Sequence, residues 1–496
     1  MGMQKKKNRT KQVFSLAALL LMLITVFSCF SAAAASESEE QSNGTGKKYI
    51  IAMDTTFAPF EFEDSQGNRV GIDVELLEAI AKDQGFEYEA RAIGFDAALQ
   101  AVESGQADGI LAGCSITEER QKKMDFSTPY FDSGISMAVS KENDSIQSYE
   151  DLRGKKVAVK VGTEGATLAN KLSEQYGFSV VTFDDSANMY EDVKLGNTVA
   201  CFEDYPVLGY AISQDIGLKL VGEKEAGSSY GLGVKKGQNA ELLQMFNDGL
   251  ENVKASGEYQ RILDSYISSG DGTAANVESN EGVNFFTLLG TTFPRFIQAA
   301  GVTLWITAVS LVFAVILGLL FCALRLSKYK VLHAITRVYL WVIRGTPVIV
   351  QAFMIYFGIP KLFGFTMPVE VASIITLTLN AGAYLSEIFR SGIEAVDVGQ
   401  MEAARSLGLP YMKTMQKVIL PQAARIVIPS VINQFIITLK DSSILSVIGL
   451  AELTKVGKAI VAQNLESFNT YLILAIYYLI LVSLLTALSA VVERRL

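Results

Sequence analysis

Apolar and polar residues along this 496-residue chain fall into three regimes. At the start, Lys5, Lys6, Lys7, Arg9 and Lys11 precede an apolar stretch over residues 13–30 and four alanines at 32–35. A basic start, an apolar core and small residues before a cut predict an export signal over 1–35, with a retained N-terminal anchor as the alternative. Between 48 and 268, short apolar runs alternate with helix-length amphipathic segments. Residues 49–53, 107–113, 155–162, 179–183 and 199–204 predict strands. Residues 74–84, with Val74, Leu76, Leu77, Ile80 and Ala81 on one face, predict a helix, as do 97–104, 167–177, 189–195 and 241–267. This alternation predicts α/β layers with mostly parallel sheets. The third regime, 285–496, holds five long apolar runs at 296–324, 338–359, 369–389, 426–450 and 471–492. Each is long enough to cross a hydrocarbon core of ~30 Å at about 1.5 Å per residue. The second is interrupted by Arg344-Gly345-Thr346-Pro347. Polar, Gly/Ser-rich stretches at 36–47 and 269–284 read as linkers.

Charge sharpens this division. Residues 36–284 carry 43 acidic and 21 basic side chains, whereas 285–496 carry 9 and 17. The basic residues of the second block lie between apolar runs: Arg325, Lys328, Lys330 and Arg337 after the first, Arg405, Lys413, Lys417 and Arg425 after the third. Both groups fall on one side of a membrane, the cytoplasmic side by the positive-inside rule. An odd number of spans then puts the acidic block outside and the C-terminus inside, in the plasma membrane. The four cysteines (Cys29, Cys114, Cys201, Cys322) lack metal or redox spacing, so Cys114 and Cys201 read as buried free thiols. A single histidine, His333, disfavours histidine-based catalysis. No G-x-x-x-x-G-K-[ST] phosphate loop and no nucleic-acid motif occur. The chain is expected to bind no cofactor and to be no enzyme by itself, with ATP and Mg on a separate ATPase chain.

Two constellations in the acidic block suit one ligand chemistry. In GCSITEER (113–120), Arg120 can grip a carboxylate through two parallel hydrogen bonds, and Ser115 and Thr117 can add donors. In FEDYP (202–206), Asp204 ends a strand and can accept from an ammonium group. An arginine clamp and an aspartate together suit a zwitterionic amino acid, although charges read singly are more often simply solvated. Within the spans, Asn380, Tyr384, Glu387, Asn433, Gln434, Lys440 and Asp441 suit either a translocation path or interhelical hydrogen bonding.

Residues 48–268 resemble the binding proteins for polar amino acids, family 3, and within them the glutamine-binding members. The resemblance is carried by AMDTTFAPFEF, GIDVELLEAIA, the run from GFDAALQ to DFSTPYF, GKKVAVKVGTEG and ACFEDYPV. It implies a type II two-lobed α/β fold, with lobe 1 at about 48–135 and 230–268 and lobe 2 at about 136–229. By the same resemblance Arg120, with Ser115 and Gly113, holds the ligand's α-carboxylate and Asp204 its amino group. Phe57 and Phe95 sandwich the side chain, Asp54 and Lys160 meet its polar end, and Thr163 offers donors at a helix start. Glu203 replaces a histidine found beside that aspartate in glutamine-binding proteins, which ranks glutamine above glutamate and leaves asparagine, cystine and basic amino acids open.

Residues 285–496 are similar to the permeases of the same importers. Here the carriers are RGTPVIVQAFMIYFGIP, NAGAYLSEIFRSGI, ITLKDSSILSVIG and EAARSLGLPYMKTMQKVILPQ (402–422). The last resembles the EAA coupling loop, with Val418 where isoleucine is usual. It implies that Glu402, Ala403, Ala404, Gly408, Leu420 and Pro421 form the socket for an ABC ATPase dimer. An all-α five-helix domain within membrane lipid, paired as a homodimer, is therefore expected. Together the two resemblances predict ATP-driven import of a polar amino acid, glutamine first. The alternative, a ligand-sensing receptor or ligand-gated channel, fits less well, because a glutamate-gated channel inserts its spans between the two lobes.

Overall fold

The first strand, Lys48–Met53, carries Ile51, Ala52 and Met53 fully into the core, and its apolar run has a sheet neighbour on either side. In this computed structural model the described residues are 47–54, 56–64, 67–267, 284–327, 329–464 and 467–493. The leader at 1–35, nearly all of the 36–47 linker and the 269–284 linker up to residue 283 lie outside them.

The acidic block forms two lobes, each around a five-stranded sheet. Lobe 1 orders its strands Glu87–Ala92, Lys48–Met53, Gly109–Ile110, Gly233–Lys235, Met124–Phe126. Lobe 2 orders them Leu218–Tyr230, Phe131–Ser140, Ala200–Asp204, Lys156–Lys160, Ser179–Phe183. The expected predominance of parallel pairing is corrected: both sheets are mixed. Lys48–Met53 runs parallel to Gly109–Ile110, and Lys156–Lys160 runs parallel to both its neighbours. Phe131–Ser140 and Leu218–Tyr230, however, pair antiparallel along their length. These are the two segments by which the chain leaves lobe 1 and returns, so their opposite directions follow from the connectivity. Glycines in the left-handed region close the lobe helices Ile72–Gln84, Phe95–Ser104 and Glu164–Tyr176, at Gly85, Gly105 and Gly177, where a Cβ would be strained.

In the second block, four helical stretches among the described residues are long and apolar enough to span a membrane, and a bent pair brings the number to five. The second span is not one rod. Lys330–Gly345 and the helical segment Val348–Phe363 meet at 109°. Pro347 supplies no N–H and forces Thr346 into the extended region, so the helix ends where Arg344-Gly345-Thr346-Pro347 interrupts the pattern. The first span begins earlier than its apolar run, as Phe285–Arg325. The fourth leaves α-helical geometry after Asp441, tightens to 3₁₀ over Ser442–Ile448 and stops at Gly449 (φ 95°).

Candidate functional site

Where the lobes meet, their facing strand ends bring the predicted residues together. Asp54 follows the first strand of lobe 1, and Lys160 ends a strand of lobe 2; both are buried and form an ion pair across the cleft. Arg120 lies in the short helix Glu118–Gln121, whose N-cap is Thr117: the Thr117 Oγ1 accepts from Arg120 N at 3.2 Å. Thr117 thus orients the arginine's own helix. The Arg120 guanidinium donates to Ser115 O at 2.8 Å and, across the cleft, to Gly162 O at 3.0 Å. Each predicted ring carries a cation: Arg120 lies 5.0 Å from the Phe95 centroid and Lys160 Nζ 5.3 Å from that of Phe57. Gly113 sits at φ 50°, and a Cβ there would meet Phe57 Cε1 at 2.2 Å, so the turn and the ring exclude any larger residue. Thr163 caps Glu164–Tyr176 by accepting from Ala166 N at 3.2 Å, while its hydroxyl donates to Lys160 O at 2.8 Å.

The cleft is rich in buried acid. Ser133 Oγ donates to Asp204 at 3.1 Å, and Ser186 Oγ donates to Glu203 at 2.7 Å. Burial, and then the neighbouring Glu203, push Asp204 up to about 7. Burial also raises Glu203, opposed by Lys160. Burial by itself would lower Lys160, yet Asp54, Glu203 and Glu61 together hold it above the usual lysine value. Cys114 and Cys201 are buried free thiols.

The lobes also rest on the membrane block. Gln106 is fully buried and grips one chain segment with both ends of its amide, donating to Phe365 O at 3.0 Å and accepting from Met367 N at 2.8 Å. Lys455 Nζ donates to Ala92 O at 2.6 Å, Arg295 pairs with Glu63, and Asn188 of lobe 2 donates to Tyr471 Oη at 3.1 Å. Ala97, Ala98 and Ala101 share an apolar cluster with Ile355, Tyr356 and Phe357. Ile93 approaches so closely that a Cβ on Gly449 would meet its Cγ2 at 2.2 Å. Glu61, Asp73, Gln106 and Lys455 were not singled out in the sequence. A carboxylate flanked by Phe60 and Phe62 was the one available signal.

At 402–422 the chain forms Val398–Ser406, a left-handed Gly408 (φ 84°), Tyr411–Thr414, a π-turn over Met415–Ile419, and the start of Leu420–Asp441. Ala404 is buried, whereas Glu402, Ala403, Gly408, Leu420 and Pro421 are exposed. Leu407 is 84% exposed, with Tyr411 and Met412 half or more exposed beside it.

Residues 49–269 match the model for bacterial extracellular solute-binding proteins, family 3. Residues 310–496 match the binding-protein-dependent transport system inner membrane component. Over 204 residues the chain is 40% identical to the probable amino-acid permease YxeN of Bacillus subtilis strain 168, spanning 41% of this chain and 91% of that one. This chain belongs to the amino-acid ABC importers. It joins their binding domain and their permease in one polypeptide. The importer is also 37% identical over 203 residues to the glutamine transport permease GlnP of Escherichia coli K12, spanning 41% and 93% of the two chains. Among solved structures, it is 42% identical to the second substrate-binding domain of Lactococcus lactis GlnP in an open conformation (46% and 98% covered, TM-score 0.36). It is 40% identical to an ancestral arginine-binding protein bound to arginine (44% and 97% covered, TM-score 0.42).

Proposed function

We propose that this importer subunit captures glutamine at the interlobe cleft and passes it to its own permease, powered by a separate ABC ATPase dimer. The observation that carries the reading is the convergence of Arg120, Asp54 and Lys160, with the Phe57 and Phe95 rings, on one cleft between lobes, with Asp204 next to Glu203, the acid that Lys160 opposes. Arg120 takes the ligand's carboxylate, beside the Gly113 and Ser115 backbone, and Asp204 takes its ammonium group. Asp54 and Lys160 neutralise one another, so the side-chain end of the cleft favours a polar, uncharged group. Glutamine meets that requirement better than glutamate, because Glu203 adds negative charge. Relatives named for glutamine and for arginine make arginine the natural competitor.

The lobes touch the permease at Arg295, 365–367, 449–458 and Tyr471, segments that lie on the extracellular side when the basic loops are cytoplasmic. That agreement supports an outside binding domain and an inside C-terminus. The exposed apolar face around Leu407 and the 402–422 helix–turn–helix suits insertion into an ATPase groove. A homodimer supplies the second half of the channel, and tethering keeps the binding domain at roughly millimolar effective concentration over it. The test is uptake of labelled glutamine by cells deleted for this gene. Wild-type chain restores uptake and Arg120→Ala does not; equal restoration by both removes the cleft from the mechanism.

A further inference from the structure

Behind the Gly113 turn lie two fully buried carboxyl groups, Glu61 and Asp73. Asp73 Oδ2 is well used: it accepts from Gly113 N and from the Tyr130 hydroxyl, each at 2.8 Å. Its Oδ1 and both Glu61 side-chain oxygens have no hydrogen-bond partner among the described residues. Bare carboxylates in a dry site are costly, and buried acceptors rarely go unmatched. The charged neighbours do not relieve them. Asp54 adds negative charge, the Lys160 ammonium is paired with Asp54, and the Arg69 guanidinium donates to Ala90 O. A single proton on Glu61 resolves the arrangement, because it converts one orphan oxygen into a donor for another.

We propose that Glu61 is kept protonated and donates to Asp73 Oδ1, so that one shared proton braces the Gly113 turn against the ligand's carboxylate. The brace joins two ligand-facing segments. Glu61 closes the Phe57 loop through Phe57 N to Glu61 O at 2.9 Å and Glu61 N to Phe57 O at 3.2 Å, while Asp73 anchors Gly113. The electrostatics agree. Burial, then Asp73 and Asp54, hold Glu61 well above the usual carboxylate range, against a lowering by Lys160. Burial raises Asp73 only to about 6, since the Gly113 N–H and the Tyr130 hydroxyl favour its charge. Of the two, Glu61 is the more strongly raised, so the proton belongs on it and the charge on Asp73. Glu61 is thereby a positioning residue, and the inference rests on the reading that Gly113 faces the ligand.

The test uses the full-length chain in lipid nanodiscs, with infrared difference spectra and calorimetric glutamine titration at pH 7. Wild type minus Glu61→Gln should show the C=O band of a protonated carboxyl, and Glu61→Gln, whose amide still donates, should bind within about threefold of wild type. Glu61→Leu should lose about tenfold to a hundredfold, the worth of a hydrogen bond to a charged acceptor. No band assigned to Glu61, or wild-type affinity in Glu61→Leu, overturns the proposal. The infrared result needs no ligand, so a chain that binds no amino acid sinks the ligand reading while the shared proton is still decided. It also stands if Glu61→Leu does not fold.

Discussion

Replacing Gln106 by leucine separates ligand capture from delivery. In the docked arrangement the Gln106 amide closes two hydrogen bonds to the permease backbone, 3.0 Å to Phe365 O and 2.8 Å to Met367 N, in a fully buried position. Leucine keeps much of the volume and removes both partners, stranding Met367 N at a buried contact and Phe365 O at a part-buried one. Before docking these groups are hydrated, so the whole penalty falls on the docked state. At about 1–2 kcal/mol for each stranded group, the docking equilibrium weakens by about 2–4 kcal/mol, roughly 30- to 700-fold. Gln106 follows the helix Phe95–Ser104 at its far end from Phe95, so cleft affinity should hold within about twofold. The assay pairs glutamine titration of the purified chain with labelled uptake by cells carrying the same variant. Normal binding with uptake reduced about tenfold or more is the expected result. Unchanged uptake, or equal losses in binding and uptake, would show that Gln106 is no docking clasp.

Arg120→Ala should weaken glutamine binding by about a hundredfold, and Arg120→Lys should recover only part of it, because an ammonium cannot form the parallel pair; titration of the two variants decides this. Asp204, raised to about 7, is protonated below that pH and then cannot pair with the ligand's ammonium group. Affinity should therefore fall as pH drops from 8 to 6, with a flat, weak profile in Asp204→Asn; a wild-type profile that is flat or opposite in sign contradicts the assignment. Gly408→Val forces a branched residue into the left-handed region at the proposed coupling loop. It should abolish energised uptake while leaving calorimetric binding intact.

Much of this architecture was legible because it depends on local pattern. Lys48–Met53 and Ala200–Asp204 announce themselves as short apolar runs, and Phe285–Arg325 as a run too long for a soluble core. Arg120 and Asp204 could be proposed from sequence because each lies in a distinctive local string, GCSITEER or FEDYP. What stayed hidden depends on partners distant in sequence. Arg344-Gly345-Thr346-Pro347 marks a helix break but carries no angle, so the 109° turn came only with the fold. Gln106 meets Phe365 across 259 positions, and nothing around an isolated glutamine marks it as a clasp. Thr117, expected only as a donor beside Arg120, also caps the arginine's helix, a second role that spacing alone does not show. The mixed sheets follow from the chain's double passage between lobes, which strand-by-strand reading does not register.

The most direct measurement is calorimetric titration of the full-length chain in nanodiscs against each common amino acid. Glutamine should bind saturably, one per chain, and the binding should be lost in both Arg120→Ala and Asp204→Ala. A folded chain that binds no amino acid, or binds one equally well without those two side chains, would contradict the proposed function.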